Sequence, residues 1–408
     1  MQVLYPKCAG LDVHKDSVMA CVRLVHGGEV ENKIEEFGTT TRELLRLLEW
    51  LQSKGVTHAA MEATGVYWKP VWHVLAGHLE LTLANAAEIK NMPGRKSDVK
   101  DATWIADLLA HGLIRSSFVA PEPIAELRDL TRTRKQLVAE RTQHVQRIQK
   151  VLEDANLKLA SVVTDIMGLS GRAILEAIVR GEGDPRRLAK LADPRVKATP
   201  AQLQDALLGR IREHHRFMLR LHLGQVDALN QSITLLENRL DDVLLPFAAV
   251  VERLQTIPGV KAIVAAVVLA EIGVDMSKFP TAAHLVSWAG LSPQHDQSGP
   301  KRRSTRTRKA LWLKATLVQA AWATVRQKDT YLHAQFHRIR ARRGAKKAIL
   351  AVSASILTAA YFIIKNEAEY QDLGADYFQR RDKRKVATRL VHRLEQMGYR
   401  VELTPIAA

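Results

Sequence analysis

A change of hydrophobic period near residue 120 constrains this chain more than any other feature. Before it, apolar and polar residues alternate in short runs. In residues 8–14, Ala9, Leu11 and Val13 fall on one side and Gly10, Asp12 and His14 on the other, the two-residue repeat of a strand. After it, Leu127, Leu130, Leu137, Val145, Ile148 and Leu152 recur at helical intervals, and no glycine occurs between Pro121 and Ala160. A helical repeat does not settle as a strand, nor the reverse. The chain therefore reads as an α/β part followed by an all-α part.

The order of elements in the first part can be followed residue by residue. Val18 to Val25 is a second β-rich run, Gly27-Gly28 a hairpin turn, and Val30 to Phe37 a third strand. Thr39 to Thr41 offers caps to a helix carrying Leu44, Leu45, Leu47, Leu48 and Leu51. Thr57–Glu62 predicts a fourth strand, Trp68–Gly77 a helix, Leu79–Ala84 a fifth strand, and Asp98 to about His111 a helix capped by Ser97. Three strands, helix, strand, helix, strand, helix suits a mixed sheet with helical layers. Beyond it, a second helical stripe is expected from Leu203 to Leu244, separated from the first by an irregular piece around 181–200. Two such stripes suggest an antiparallel arm or coiled coil. The expected division is 1–120 for the sheet domain, 121–250 for the helical arm, 251–366 for a mainly helical domain and 367–408 for a C-terminal appendage.

Composition narrows the class. With 47% hydrophobic and 25% charged residues the chain is an ordinary folded protein. Cys8 and Cys21 are too few for a disulfide framework or a multi-cysteine zinc site and suit a reducing cytosol. The start, MQVLYPKCAGLD, lacks the order of a signal peptide. The uncharged run from Ala348 to Ile364 predicts a buried helix rather than a membrane span.

Charge is concentrated. The chain has 60 Lys and Arg, 43 Asp and Glu and a formal net charge of +17; Lys301 to Lys347 holds fifteen of those cations and one acid, Asp329. A local field of that sign is the footprint of phosphate backbones. A solvated basic face is the plain alternative. Lys301, Arg302, Arg303, Arg306, Arg308 and Lys309 are the candidate contacts.

Four acids are candidates for chemistry. Asp12 is on the polar side of the first strand, Glu62 ends the fourth, and Asp98 and Asp101 share one face of a helix, three residues apart. Gathered together they would repel unless a hard divalent cation neutralised them, and two such ions can clamp a phosphodiester. Taken singly, each has an ordinary explanation as a turn, strand-end or helix N-terminal acid. Their order along the chain resembles that of an RNase H-like core, most like the RuvC resolvase version, a likeness by analogy.

Ser298 precedes Gly299, Pro300 and three cations. A serine beside arginines can attack phosphorus while the cations hold the added charge; a turn serine is the ordinary reading. Ile257-Pro258-Gly259-Val260 ahead of an Ala-rich helix suggests either a backbone phosphate cradle, with Lys261 as a further contact, or a plain helix-entry turn.

Together GLDVHK, MEATGVYW, KSDVKDA, IPGV, AEIG, WAGLSP, QSG, ARRGAKKAILAV and YQDLGADYF resemble the DEDD-type transposases of the insertion sequence 110 family, from about Cys8 to Leu403. The resemblance implies an N-terminal RuvC-like domain holding Asp12, Glu62, Asp98 and Asp101 as catalytic and metal-binding acids with Mg²⁺ or Mn²⁺, a coiled coil, and a transposase domain with Ser298 as nucleophile. It implies double-stranded donor and target DNA, a non-coding bridge RNA as guide, a homo-oligomer (dimer or tetramer) and a bacterial cytoplasmic, nucleoid-associated setting. Two departures stand out: Lys261 replaces the second glycine of PGVG, and the turn after the serine reads STRTRKALW. A hydrolytic junction nuclease that needs the acids but no serine, and a non-enzymatic nucleic-acid binder, are the alternatives.

Overall fold

The computed structural model describes residues 2–63, 65–85, 89, 98–293, 297–298, 301–302, 312–381 and 383–402. The chain separates into two compact units, Met1–Val119 and Ala120–Ala408.

The first unit is built on a five-stranded mixed sheet. Its strands are β1 (Lys7–Val13), β2 (Ser17–His26), β3 (Glu29–Gly38), β4 (His58–Glu62) and β5 (Glu80–Ala84), in the order β3-β2-β1-β4-β5. β1–β2 and β2–β3 are antiparallel, while β1–β4 and β4–β5 are parallel. A parallel neighbour requires a crossover, supplied by α1 (Thr41–Ser53) before β4 and α2 (Trp68–Leu75) before β5. Helix α3 (Asp98–Ala110) follows. This five-stranded sheet with its helices fits the RNase H-like expectation.

Both faces of β1 are covered, which explains its near-total burial. Ala9, Leu11 and Val13 join the core with Leu44, Leu47, Leu51, Val71 and Leu75. On the other face Cys8 and Ala60 pack with Ile105, Leu109 and Ala110, and Cys21 with Ala102 and Ala106. Gly10 lies against the backbone of α3: a Cβ there would stand 2.1 Å from the Ala102 carbonyl oxygen and 2.4 Å from the Ala106 nitrogen. Only glycine allows that approach.

The second unit is helical. Helices α4 (Glu122–Asp154) and α9 (Glu213–Leu244) form an antiparallel pair. Arg134 bonds Glu237, Arg141 bonds Asn230, His144 meets His222, and His215 and Arg212 reach Asp154. Four short helices lie between them: α5 (Leu159–Val162), α6 (Leu169–Val179), α7 (Pro185–Ala189) and α8 (Pro200–Ala206). They enclose a separate core with Ile148, Leu152, Ile174, Leu188, Leu203, Leu219 and Val226. The expected stripe from Leu203 to Leu244 is thus two helices. The break includes Gly209, where a Cβ would stand 2.4 Å from the Ala155 carbonyl oxygen.

The remaining helices are α10 (Ala248–Gln255), α11 (Ala262–Ile272), α12 (Ala282–Trp288), α13 (Trp312–Thr324), α14 (Tyr331–Arg343), α15 (Ala345–Asn366), α16 (Tyr377–Arg381) and α17 (Lys383–Gln396). A small ribbon, β6 (Gln297–Ser298) with β7 (Lys301–Arg302), precedes α13. Among the described residues α15 is the one helix long and apolar enough to cross a membrane. Here it is a core helix: Val352, Ile356, Leu357 and Ala360 are buried, and the Tyr361 hydroxyl donates to the Phe279 carbonyl at 3.1 Å. The start of the long pair is tied to this core through buried Glu271, which accepts two hydrogen bonds from Arg132 at 2.8 and 2.9 Å. Part of the C-terminal appendage packs here too, since Asp372 accepts from the Tyr331 backbone N–H at 2.9 Å.

Candidate active site and nucleic-acid surface

The register of two strands sets the candidate site. Gly10 pairs with Ala60 and Leu11 with Met61 across β1 and β4. One step further along that parallel register stand Asp12 and Glu62. Side chains level with each other on parallel neighbours share a face, and for these two it is the face that Gly10 and Ala60 present to α3. Both acids are half-buried.

The direction of α3 brings further acids to the same end of the sheet. Ala102 and Ala106 lie over Gly10, whereas the Ala110 carbonyl accepts from the Leu4 backbone at 2.8 Å. The helix therefore runs antiparallel to β1, and its first turn is at the Asp12 end. Asp98 opens that turn and half-buried Asp101 closes it. The Asp98 side chain lies outside the described residues, so its backbone position alone is placed. Among the described residues no three His, Cys, Asp or Glu side chains are gathered as a group that could hold a metal ion.

The donor chemistry nonetheless suits a hard cation. The carboxylates of Asp12 and Glu62 on adjacent strand ends, and of Asp101 on the first turn of α3, are oxygen donors of the kind such ions prefer. A fifth group was noted in the sequence only for its side of the strand. His14 places Nε2 3.1 Å from Asp12 Oδ2, with its own side chain 56% exposed and that of Asp12 14% exposed. The signal available was the alternation itself, which puts His14 on the side of Asp12.

Cys8 and Cys21 are both free and buried behind this site. Burial pushes the Cys8 thiol up to about 12 and raises that of Cys21 as well. Both shifts favour the thiol over the more reactive thiolate.

Ser298 belongs to the second unit. The sequence places it in a loop; the structure puts its backbone in β6, paired with Lys301 of β7. The side chains of Ser298, Lys301 and Arg302 lie outside the described residues, as do Arg303, Arg306, Arg308 and Lys309 altogether. Lys261 is exposed at the N-terminal end of α11. Gly259, just before it, has φ of 80°, and a Cβ there would stand 2.2 Å from Thr324 Oγ1. The Thr324 hydroxyl donates to the Pro258 carbonyl at 2.6 Å. This turn is thereby locked against α13, which is reason enough for its glycine and favours the helix-entry reading.

The described half of the basic stretch has a definite form. α14 ends and α15 begins at Gly344, with φ of 80° and open space around it. Arg340, Arg342, Arg343, Lys346 and Lys347 around this corner are all exposed. None joins an ion pair among the described residues. Cations so placed are available to phosphate; in the sequence they were part of a charged stretch with no visible corner.

Comparison with known proteins shows what the chain is similar to. A transposase family model, the DEDD transposase of IS110, matches residues 9–157. A model of the transposase IS116/IS110/IS902 family matches residues 251–338. A Streptomyces coelicolor protein, the insertion element IS110 uncharacterized 43.6 kDa protein, is 30% identical over 251 residues, covering 55% of this chain and 61% of that relative. The chain thus matches somewhat less than two thirds of that relative's length. Two models from one family on separate parts of the sequence, and a relative from the same kind of element, lead to one conclusion: the chain belongs to the IS110 family of transposases.

Proposed function

We propose that the protein is a DNA transposase that cuts and rejoins strands with Asp12, Glu62, Asp98, Asp101 and Ser298. The observation that carries the proposal is the placement of Asp12 and Glu62 side by side on β1 and β4, at the end where α3 begins with two more acids. Family membership supports the reaction class. The four carboxylates would hold Mg²⁺ or Mn²⁺, which supplies charge neutralisation and polarisation of the scissile phosphate.

The protein's own groups then have separate tasks. The acids orient the phosphodiester at the sheet end. Ser298 Oγ attacks phosphorus and forms a phosphoserine bond as the old phosphodiester bond breaks to release a hydroxyl-ended strand. A hydroxyl from the second duplex reverses that attack and frees the serine, so joining conserves the bond energy. Lys301, Arg302, Arg303, Arg306, Arg308, Lys309 and Lys261 grip phosphates of donor and target DNA. A non-coding guide RNA selects sequence by base pairing. The chain acts as a homo-oligomer in the bacterial cytoplasm, with α4 and α9 as a coiled-coil arm between subunits. The functional division is 1–120, 121–250, 251–366 and 367–408.

The test is to trap protein-linked DNA with wild type and with Ser298→Ala, in the presence of RNA and Mg²⁺. The expected result is a covalent adduct with wild type only, and no recombination with the alanine variant. Undiminished cutting by Ser298→Ala would instead assign a hydrolytic nuclease.

A further inference from the structure

We infer that His14 is a positioning residue that orients Asp12 for the divalent cation, an inference that rests on the metal-binding reading above. The ring and the carboxylate are 3.1 Å apart, Nε2 to Oδ2. An ionised carboxylate can only accept a hydrogen bond, so Nε2 carries the hydrogen and donates.

The backbone beneath the ring is fixed. The His14 N–H donates to the Ser17 carbonyl at 2.9 Å, and the Thr39 hydroxyl donates to the Lys15 carbonyl at 3.0 Å. The turn between β1 and β2 is therefore held at two points, and His14 starts from a set place at the strand end. Its ring is more than half exposed, so packing does not account for where it points. Asp12, by contrast, is mostly covered. The pairing ties an exposed ring to a sheltered carboxylate at the rim of the candidate site.

A carboxylate with one oxygen engaged by a fixed donor has less rotational freedom to lose when a cation arrives. Outer-shell partners of this kind typically change metal affinity about 10–100-fold. The effect requires a donor at the distance of Nε2, not a charge on the ring. Glutamine can present an N–H at a similar distance along the side chain; alanine cannot.

The test is calorimetric titration of Mn²⁺ into the full chain for wild type, His14→Ala, His14→Gln and Asp12→Asn, with melting curves for each. Strand cleavage against Mg²⁺ concentration provides the parallel readout. The expected result is Mn²⁺ binding weakened about tenfold in His14→Ala, largely restored in His14→Gln and lost in Asp12→Asn, with melting unchanged. Half-saturation by Mg²⁺ shifts in the same order, while cleavage at saturating Mg²⁺ survives in His14→Ala. Wild-type Mn²⁺ affinity in His14→Ala, alongside loss in Asp12→Asn, overturns the role of His14 and leaves the metal site standing. Equal Mn²⁺ binding by wild type and Asp12→Asn overturns both.

Discussion

In the first unit, Asp12 and Glu62 stand on neighbouring strands whose pairing sets them level to the residue. In the second, Arg340, Arg342, Arg343, Lys346 and Lys347 stand on the exposed ends of two helices around Gly344. The anionic groups have short side chains on a covered sheet; the cationic groups have long side chains on an open corner. The contrast matches what each charge would meet in the proposed reaction. A small divalent ion demands oxygen ligands within a few tenths of an ångström, which only a rigid backbone supplies. A phosphate backbone presents a charge every few ångströms, and flexible cations can reach it from many positions.

This contrast can be broken at either end. The largest effect is expected at the acids: Asp12→Asn or Glu62→Gln reduces strand cleavage by about 10³-fold or more, with native melting and native nucleic-acid binding. A single-turnover cleavage assay with a binding isotherm measures both, and residual cleavage within tenfold of wild type would remove the acids from the chemistry. A smaller, graded effect is expected at the corner. Replacing Arg342, Arg343, Lys346 and Lys347 by alanine together weakens duplex binding, and flattens the slope of log affinity against log salt by roughly 0.9 for each phosphate no longer neutralised. Fluorescence anisotropy between about 50 and 200 mM salt reads this, and an unchanged slope would place the phosphate-binding surface elsewhere. The smallest effect is an absence of reaction. With its thiol pushed up to about 12 by burial, Cys8 stays protonated far above neutral pH and resists alkylation at about pH 8 until the first unit unfolds. Mass spectrometry of the native chain checks it, and rapid labelling would show that α3 does not seal this face of the sheet.

Residues whose surroundings are local were legible in the sequence. Alternation alone put Asp12 opposite Leu11, and the run of strands and helices through Ala84 emerged in the order the structure shows. Where distant segments decide, the sequence was silent. Gly259 suggested a phosphate cradle as readily as a turn, because its partner Thr324 is 65 residues away. The stripe from Leu203 to Leu244 looked continuous, because the partner of Gly209 is the Ala155 backbone just past the end of α4. His14 stood within GLDVHK with no role assigned to it, and its bond to Asp12 depends on the turn that Ser17 and Thr39 hold. The acid site drew on both kinds of information: local pattern supplied Asp12 and Glu62, and the pairing of β1 with β4 made them neighbours.

The antiparallel course of α4 and α9 has an evolutionary consequence. Because Arg134 meets Glu237 near one end and Asp154 meets His215 near the other, neither helix can lengthen by itself without shearing every pairing beyond the insertion. Elongation is tolerated only when both strands of the hairpin grow in step, about seven residues each for roughly 10 Å. The four short helices between them would then ride outward intact, so matched insertions would change the length of this helix pair while both ends keep their partners.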